Sequence, residues 1–173
     1  MNIIGVDPSG SFNEGSGTTG IVVISGAPEL IYHEAIEAKW FDTRFQYWEA
    51  IIAKVQQLAI RFDPAVVSIE DYVLYATSAK AQINSEMETS KLIGALNFIL
   101  FCNNTPQYMR NAGLVKARWA NPILIEEGII QKQGNTYADL QGKPINHHCM
   151  DALRHAVHCH FFEVSNRKGK QLT

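Results

Sequence analysis

Two short apolar runs, each ending directly at an acidic residue, constrain the fold of this chain more than any other feature. The first spans Asn2 to Val6 and is followed by Asp7; the second spans Ala65 to Ile69 and is followed by Glu70. Runs that are apolar at nearly every position are typical of strands covered on both faces of a sheet. The sequence therefore predicts an α/β protein with at least two strands inside the sheet.

The residues between these runs predict two more strands and a helix. Thr18–Ile24 and Leu30–Ala38 are rich in β-branched and apolar residues and follow turn residues, so we expect them to continue from the first strand as a meander. From Phe41 to Phe62 the apolar residues recur at intervals of three and four, which predicts one helix that ends at Asp63-Pro64.

The second half of the chain predicts further alternation of helices and strands. Ser85 and Glu88 have the spacing of a capping box, which predicts the start of a second helix. The expected elements after it are a helix to Leu100, a strand at Gln107–Met109, a loop at Asn111–Asn121, a short helix at Pro122–Ile130, a loop from Gln133 to Gly142, and a last helix from His147 to about Phe162, capped by Asn146. This order favours a mixed sheet with helices on both faces.

Length and composition place the chain among single-domain proteins. Its 173 residues suit one domain, expected over 1–165, followed by a basic tail at 166–173. Three cysteines without a CxxC pair argue against a disulfide framework or a zinc knuckle. No apolar run approaches the ~20 residues that cross a bilayer, and the start is unlike a signal peptide. We expect a cytoplasmic protein with no membrane partner, in the host-cell cytoplasm if a phage encodes it.

The acidic residues at the strand ends are candidate metal ligands. Asp7 and Glu70 each follow a buried strand, at the sheet edge where α/β proteins bind ligands. Asp151 lies on the last helix, and His148 lies three residues earlier on the same side of that helix. Clustered carboxylates either raise their pKa values or bind a cation, and oxygen ligands suit Mg²⁺ or Mn²⁺. Asp71 is the alternative to Glu70, and each acid has a structural alternative: a turn starter, a solvated strand end or a helix-dipole partner.

These residues carry a resemblance to a known family. Ile4-Gly5-Val6-Asp7-Pro8, Gly17-Thr18-Thr19-Gly20, Ser68-Ile69-Glu70-Asp71 and the segment from His148 to Ala156 follow one another in the order and at the spacing of the RuvC family of Holliday-junction resolvases, within the ribonuclease H-like superfamily. The resemblance covers nearly the whole chain, and the compact form is closest to phage-type members. It implies a ribonuclease H-like five-stranded mixed sheet, with strands 1–3 antiparallel and strands 4 and 5 parallel to strand 1.

The resemblance also implies an activity and its residues. It implies that Asp7, Glu70, His148 and Asp151 form a tetrad that binds Mg²⁺, with Mn²⁺ as a substitute. Two such ions would clamp the attacking and leaving oxygens of a phosphodiester. The implied enzyme is a homodimer that cuts a four-way DNA junction, or other branched DNA, by paired nicks, with the helix from Ser85 to Asn103 as the candidate dimer surface. The expected DNA contacts are Tyr72, Tyr75, Lys116 and Arg118.

Several features separate this chain from the family and leave alternatives open. Pro8 is followed by Ser9 where the bacterial enzymes have Gly, and the segment from Ser9 to Gly17 is longer than usual. The formal charge of -2 and pI of about 6.3 are low for a DNA-binding protein, although metal ions would offset the carboxylates. These departures weaken the case for strict junction selectivity and are compatible with cutting of forks and other branched DNA. The principal alternative is a non-catalytic module of the same fold that binds branched DNA or a replication or recombination partner.

Two other functions are weaker on the sequence alone. An actin-like phosphotransferase needs two such domains to clamp a nucleotide, and this chain has room for one. A structural zinc site would draw on the His-rich last helix, where His155 and Cys159 are four residues apart. A closed zinc site needs four converging ligands, and the histidines and cysteines of this helix are spread around it.

Overall fold

A mixed five-stranded sheet forms the centre of the molecule. The computed structural model describes residues 1–12, 15–72 and 87–164. The strands, in the order β3-β2-β1-β4-β5, are β1 (Asn2–Asp7), β2 (Thr18–Ile24), β3 (Leu30–Glu37), β4 (Ala65–Asp71) and β5 (Gln107–Asn111). β1, β2 and β3 pair antiparallel, whereas β4 is parallel to β1 and β5 is parallel to β4. The predicted mixed sheet is confirmed, with β1 and β4 inside it.

Helices cover both faces of this sheet. On one face lie α1 (Arg44–Arg61) and α2 (Glu88–Cys102), and on the other lie α3 (Ala112–Arg118), α4 (Asn121–Glu126) and α5 (His147–Cys159). Successive residues of a strand point to opposite faces, so Ile3 packs in the core beneath α5, whereas Ile4 packs in the core beneath α1 and α2. This explains why the central strands are apolar at the residues that point to either face of the sheet.

The helix boundaries reflect identifiable caps. Thr43 caps α1: its side chain accepts a hydrogen bond from the Gln46 backbone N–H, and the Gln46 side chain accepts one from the Thr43 backbone N–H. Helix α2 begins at Glu88 after Met87, whose φ of 49° is left-handed and which makes no side-chain cap. The predicted capping box is therefore wrong for Glu88, which instead contacts Phe12 and Arg44. Ser85 lies outside the described residues.

Two segments that we expected to be loops are ordered elements. Residues 111–121 contain α3, whose first turn is capped by the Asn111 side chain accepting from Gly113 N–H. The second segment, Gln133 to Gly142, contains β7 (Thr136–Ala138), which forms a hairpin with β6 (Gln131–Gln133) at its start. The expected helix at Pro122–Ile130 is shorter, because α4 ends at Glu126. Helix α5 ends at Cys159 and continues as a π-helical turn, His160–Val164.

A buried contact between a histidine and an aspartate fastens the segment after β7 to the edge of the main sheet. His33 on β3 and Asp139 are each 7% exposed, and His33 Nε2 lies 3.3 Å from Asp139 Oδ2. The other carboxylate oxygen of Asp139 accepts hydrogen bonds from the backbone N–H groups of Gln141 and Lys143. The chain that leads into α5 is thus tied to β3.

The remaining predictions about organisation concern the termini and the membrane. The basic tail, 166–173, lies outside the described residues, so its prediction stands as made. Among the helices that the structure describes, none combines the length and apolar character that crossing a membrane requires.

Candidate active site

The candidate site begins at the carboxyl ends of β1 and β4. In this parallel pair Val6 lies opposite Ile69, so Asp7 and Glu70 end neighbouring strands side by side. Two residues earlier, Ser68 donates a hydrogen bond to the backbone oxygen of His155 on α5. Because side chains alternate along a strand, Glu70 lies on the face that α5 covers and Asp71 on the opposite face. Strand geometry therefore favours Glu70 over Asp71 as the functional acid.

Two glycines let α5 approach the sheet closely enough to complete this site. A Cβ atom on Gly20 would lie 2.2 Å from the backbone carbon of His148, and one on Gly5 would lie 2.1 Å from the backbone oxygen of Ala152. Real side chains do not tolerate such distances, so any other residue at either position would hold the helix away. The close approach places His148 and Asp151 over the ends of β1 and β4.

The acidic side chains meet basic side chains at this point. His148 Nδ1 lies 2.8 Å from Asp7 Oδ2. Lys116 on α3 bridges two acids, with its Nζ 2.8 Å from Asp151 Oδ2 and 3.5 Å from Glu70 Oε2. The structure thus brings all four predicted tetrad residues, together with Lys116, to one end of the sheet.

Arg154 joins Asp151 from the side of α5. Its guanidinium donates to the Asp151 carboxylate and to the Asn121 side chain, and its Nε donates to the Trp119 backbone oxygen at 3.1 Å. The sequence interpretation did not include Arg154, although its position three residues after Asp151 was an available signal. Arg154 fixes the orientation of Asp151 on the helix.

The pKa values of the two strand-end acids are shifted in opposite directions. Burial raises the pKa of Asp7, and the charges of Glu70 and Asp151 raise it further, against the hydrogen bond with His148. Burial also raises the pKa of Glu70, but the contacts with His155 and Lys116 outweigh it, so the net shift is downward. Glu70 is therefore the readily ionised acid of the pair, and Asp7 is the one most in need of a cation.

The basic groups respond to the same charges. The pKa of His148 is raised, chiefly by its hydrogen bond to Asp7. Burial lowers the pKa of Lys116, but the hydrogen bond to Asp151 and the charges of the three acids raise it by more. Lys116 consequently stays an ammonium at neutral pH and offsets part of the negative charge of the cluster.

The donor chemistry of the cluster fits a hard divalent cation. Three carboxylates and an imidazole are the ligand types that Mg²⁺ and Mn²⁺ accept. Glu70 Oε2 is buried and makes no well-aligned hydrogen bond within the described residues, which leaves it available as a ligand. As arranged, however, no three described His, Cys, Asp or Glu side chains are positioned to hold one metal ion. In this arrangement Lys116 contacts Glu70 and Asp151, and Arg154 contacts Asp151.

The loop that follows Asp7 is fixed by both neighbouring helices. The hydroxyl of Tyr47 on α1 donates to the Ser9 backbone oxygen at 2.9 Å. On α2, Thr89 accepts from Gly10 N–H and Glu88 from Phe12 N–H. The longer segment from Ser9 to Gly17 thus begins as a well-anchored loop beside the acids.

The other predicted DNA contacts have different positions. Tyr72 is half-buried and packs against the core beneath α1 and α2, whereas Tyr75 lies outside the described residues. Arg118 is exposed at the end of α3, and its guanidinium carbon lies 4.2 Å from the centre of the Phe162 ring. The structure does not bring Arg118 into the carboxylate cluster, although it shares a helix with Lys116.

Comparisons with known proteins agree on one fold. The solved structure of Thermus thermophilus RuvC in complex with a Holliday junction substrate matches with a TM-score of 0.66 and 23% sequence identity, over 98% of this chain and 96% of that chain. A second Thermus thermophilus RuvC structure matches with the same TM-score and 22% identity, over 98% of this chain and 97% of that one. This chain has the RuvC fold. No protein-family model matches the sequence, and no curated protein matches it either. The RuvC fold is thus supported over nearly the full length of both chains, which confirms the fold that the sequence resemblance implies.

Proposed function

We propose that this protein is a metal-dependent endonuclease that cuts four-way DNA junctions and other branched DNA. The observation that carries the proposal is the meeting of Asp7, Glu70, His148 and Asp151 at one end of a RuvC-fold sheet. These residues come from three separate elements, and packing alone does not require a partly buried cluster of acids. One of the matching RuvC structures contains a Holliday junction substrate, which supports branched DNA as the substrate class. In a cell this activity would serve DNA recombination and repair.

The protein groups have distinct roles in this proposal. Asp7, Glu70, Asp151 and His148 would hold Mg²⁺ or Mn²⁺. When bound, such ions activate the attacking water and stabilise the leaving oxygen of a phosphodiester. The side chains of the acids are only 13–20% exposed, so the site is partly shielded from water. Charges interact more strongly in such a site than in bulk solvent.

Lys116 has a second role to play in the same site. Its side chain is 39% exposed, the most accessible of the groups that pair with the acids. Binding of metal by Glu70 and Asp151 would release its ammonium group, which would then be close to an incoming phosphate. We therefore propose that Lys116 contacts the DNA backbone beside the cut, with Arg118, Tyr72 and Tyr75 as further DNA contacts.

We propose that the enzyme acts as a homodimer through α2. Phe98 and Phe101 lie on this helix with 67% and 73% of their surface exposed, although large aromatic side chains are usually covered. Association of two copies through these residues would remove this apolar surface from water. Two sites in one dimer would account for paired nicks on opposed strands.

The protein cations in the site favour one alternative. Since Lys116 and Arg154 already neutralise Asp151, the cluster is also compatible with a structural ion network in a protein that binds branched DNA without cutting it. The two functions differ in a measurable way, because only the nuclease requires a divalent metal and loses its activity when a ligand acid is neutralised.

The test compares a labelled four-way junction with a linear duplex of matched sequence in Mg²⁺, Mn²⁺ or EDTA. We expect paired metal-dependent nicks in the junction from the wild type and from Asp71→Asn, and none from Asp7→Asn or Glu70→Gln. Asp71→Asn is the matched control, because Asp71 adjoins Glu70 but lies on the other face of the sheet. Equal cutting of both substrates would remove the junction selectivity, and binding without cutting would favour the non-catalytic module.

A further inference from the structure

A buried histidine lies directly behind the candidate site. His155 on α5 is 0% exposed, and its Nε2 lies 3.2 Å from Glu70 Oε2. It follows Asp151 by four residues and His148 by seven, so the three side chains share one face of the helix. His155 therefore belongs to the stripe of α5 that faces the strand ends, although it is too deep to touch DNA.

Neither of the two facing atoms has a well-aligned hydrogen-bond partner among the described residues, although Lys116 Nζ lies 3.5 Å from Glu70 Oε2. Neither ring nitrogen of His155 makes a well-aligned hydrogen bond, and neither does Glu70 Oε2. A buried polar group without a partner destabilises the fold, and His155 Nε2 and Glu70 Oε2 lie within hydrogen-bond distance of each other. The distance and the burial together indicate that the imidazole and the carboxylate are hydrogen-bond partners.

The backbone of His155 is also held in place, by a hydrogen bond from β4. Ser68 Oγ donates to the His155 backbone oxygen at 3.0 Å, from the strand that ends at Glu70. The helix residue and the acid are thus fixed to the same strand, β4, two residues apart. This arrangement fixes the position of the imidazole relative to the Glu70 carboxylate.

We propose that His155 is a positioning residue that donates a hydrogen bond from Nε2 to Glu70 and sets the direction of its carboxylate for metal binding. This inference rests on the proposed function, and it adds a residue that the tetrad does not contain. A glutamate side chain has three rotatable bonds, so without a fixed donor its carboxylate samples several directions. Partners that orient a metal-binding carboxylate typically change metal affinity or activity by 10–100-fold when they are removed.

Lys116 contacts the same oxygen but cannot serve the same purpose. Its ammonium group is farther from Glu70 Oε2, at 3.5 Å, and its side chain is 39% exposed on a flexible stem. Lys116 can leave when a metal ion or a phosphate arrives, whereas the buried imidazole stays in place. His155 is thus the lasting partner of Glu70, and Lys116 is the exchangeable one.

The same helix supplies a matched control. His158 is 6% exposed, and its Nδ1 also lacks a hydrogen bond among the described residues. Its ring stacks on Phe162 at 4.7 Å between centres; the structure shows no contact between it and the acids of the site. Replacing His158 therefore reproduces the loss of a buried imidazole from α5 without affecting Glu70.

The experiment measures Mn²⁺ binding to the free protein by calorimetry, together with thermal unfolding and junction affinity in EDTA. His155→Leu keeps approximate volume and removes the donor, whereas His155→Gln keeps an N–H at the reach of Nε2. We expect His155→Leu to weaken Mn²⁺ binding about tenfold with unchanged junction affinity in EDTA. His155→Gln should recover most of the loss, and His158→Leu should bind Mn²⁺ as the wild type does.

Three results would overturn the inference. The first is Mn²⁺ binding by His155→Leu equal to that of the wild type, the second is a His155→Gln variant as weak as His155→Leu, and the third is an equal loss in His158→Leu. If His155→Leu does not fold, His155→Asn replaces it, because the shorter amide does not reach Glu70. A wild type that binds no Mn²⁺ would refute the metal-dependent nuclease as well, so the two failures are distinguishable.

Discussion

The close contact between α5 and the sheet makes Gly20→Ala a severe test of how the site is assembled. The new Cβ would lie 2.2 Å from the backbone carbon of His148. An ordinary contact needs 3.4 Å or more, so the start of α5 would have to withdraw by about 1.2 Å. That movement would stretch the 2.8 Å hydrogen bond between His148 and Asp7 to about 4 Å, beyond hydrogen-bond range.

The expected effects on stability and on activity differ in size. Overpacking of this kind typically costs about 1–3 kcal/mol, which for a chain of this length lowers the melting temperature by about 2–12 °C. The protein should therefore still fold. A displacement of about 1 Å in a catalytic group can cost about 100-fold in rate, so metal-dependent junction cleavage should fall by about that factor.

The assay compares thermal unfolding and junction cleavage in Mn²⁺ for the wild type, Gly20→Ala and Gly26→Ala. Gly26 is the control, because its Cβ would meet only the Met1 backbone, at 3.2 Å, at the opposite end of β2 from the site. We expect Gly26→Ala to match the wild type in cleavage. A Gly20→Ala protein with wild-type melting temperature and wild-type cleavage would refute the claim that close approach of α5 builds the site.

Three further perturbations test other parts of the structure. The pKa of His148 is raised above 6.5, chiefly by its hydrogen bond to Asp7, so its contribution to stability is complete below pH 6.5 and is lost as the pH rises through the folded-state pKa. Urea unfolding in EDTA should show this fall in the wild type, and a His148→Gln protein with the same fall would contradict the assignment. His33→Leu removes the partner of the buried Asp139 and should lower the unfolding free energy by about 1–3 kcal/mol with cleavage unchanged; an unaltered urea midpoint would show that the pair is not stabilising. Phe98→Lys on the exposed face of α2 should convert a dimer to a monomer in sedimentation, and a persistent dimer would place the interface elsewhere.

The sequence predicted the sheet well because its strands have a strong local signature. β1 and β4 are apolar at positions on both faces of the sheet, and they end at Asp7 and at the pair Glu70-Asp71. Their burial and their functional edge therefore follow from a few neighbouring residues. Helix α3 was missed because it has only seven residues, Gly113 among them, and its clearest start signal is the cap at Asn111. A segment this short depends on packing against its neighbours for its helical conformation.

The sequence predicted the acids of the candidate site, but it did not predict which side chains pair with them. Asp7, Glu70, His148 and Asp151 follow from strand ends and helix spacing. The pairing of Lys116 with Glu70 and Asp151 depends on how α3 packs beside α5, which no local pattern specifies. His155 was weighed only as a zinc ligand with Cys159. Its spacing from Asp151 placed it on the helix face of the site, but only the three-dimensional structure shows that it reaches Glu70.

The position of α5 near the end of the described chain has a consequence for protein synthesis. β1 and β4 leave the ribosome long before residues 147–159, and until that helix arrives Asp7 and Glu70 lack the side chains that complete the cluster. A nascent chain, or one shortened before residue 147, would thus carry the strand-end acids without a working centre. The proposed nuclease would become capable of cutting DNA only when α5 has been made and has docked.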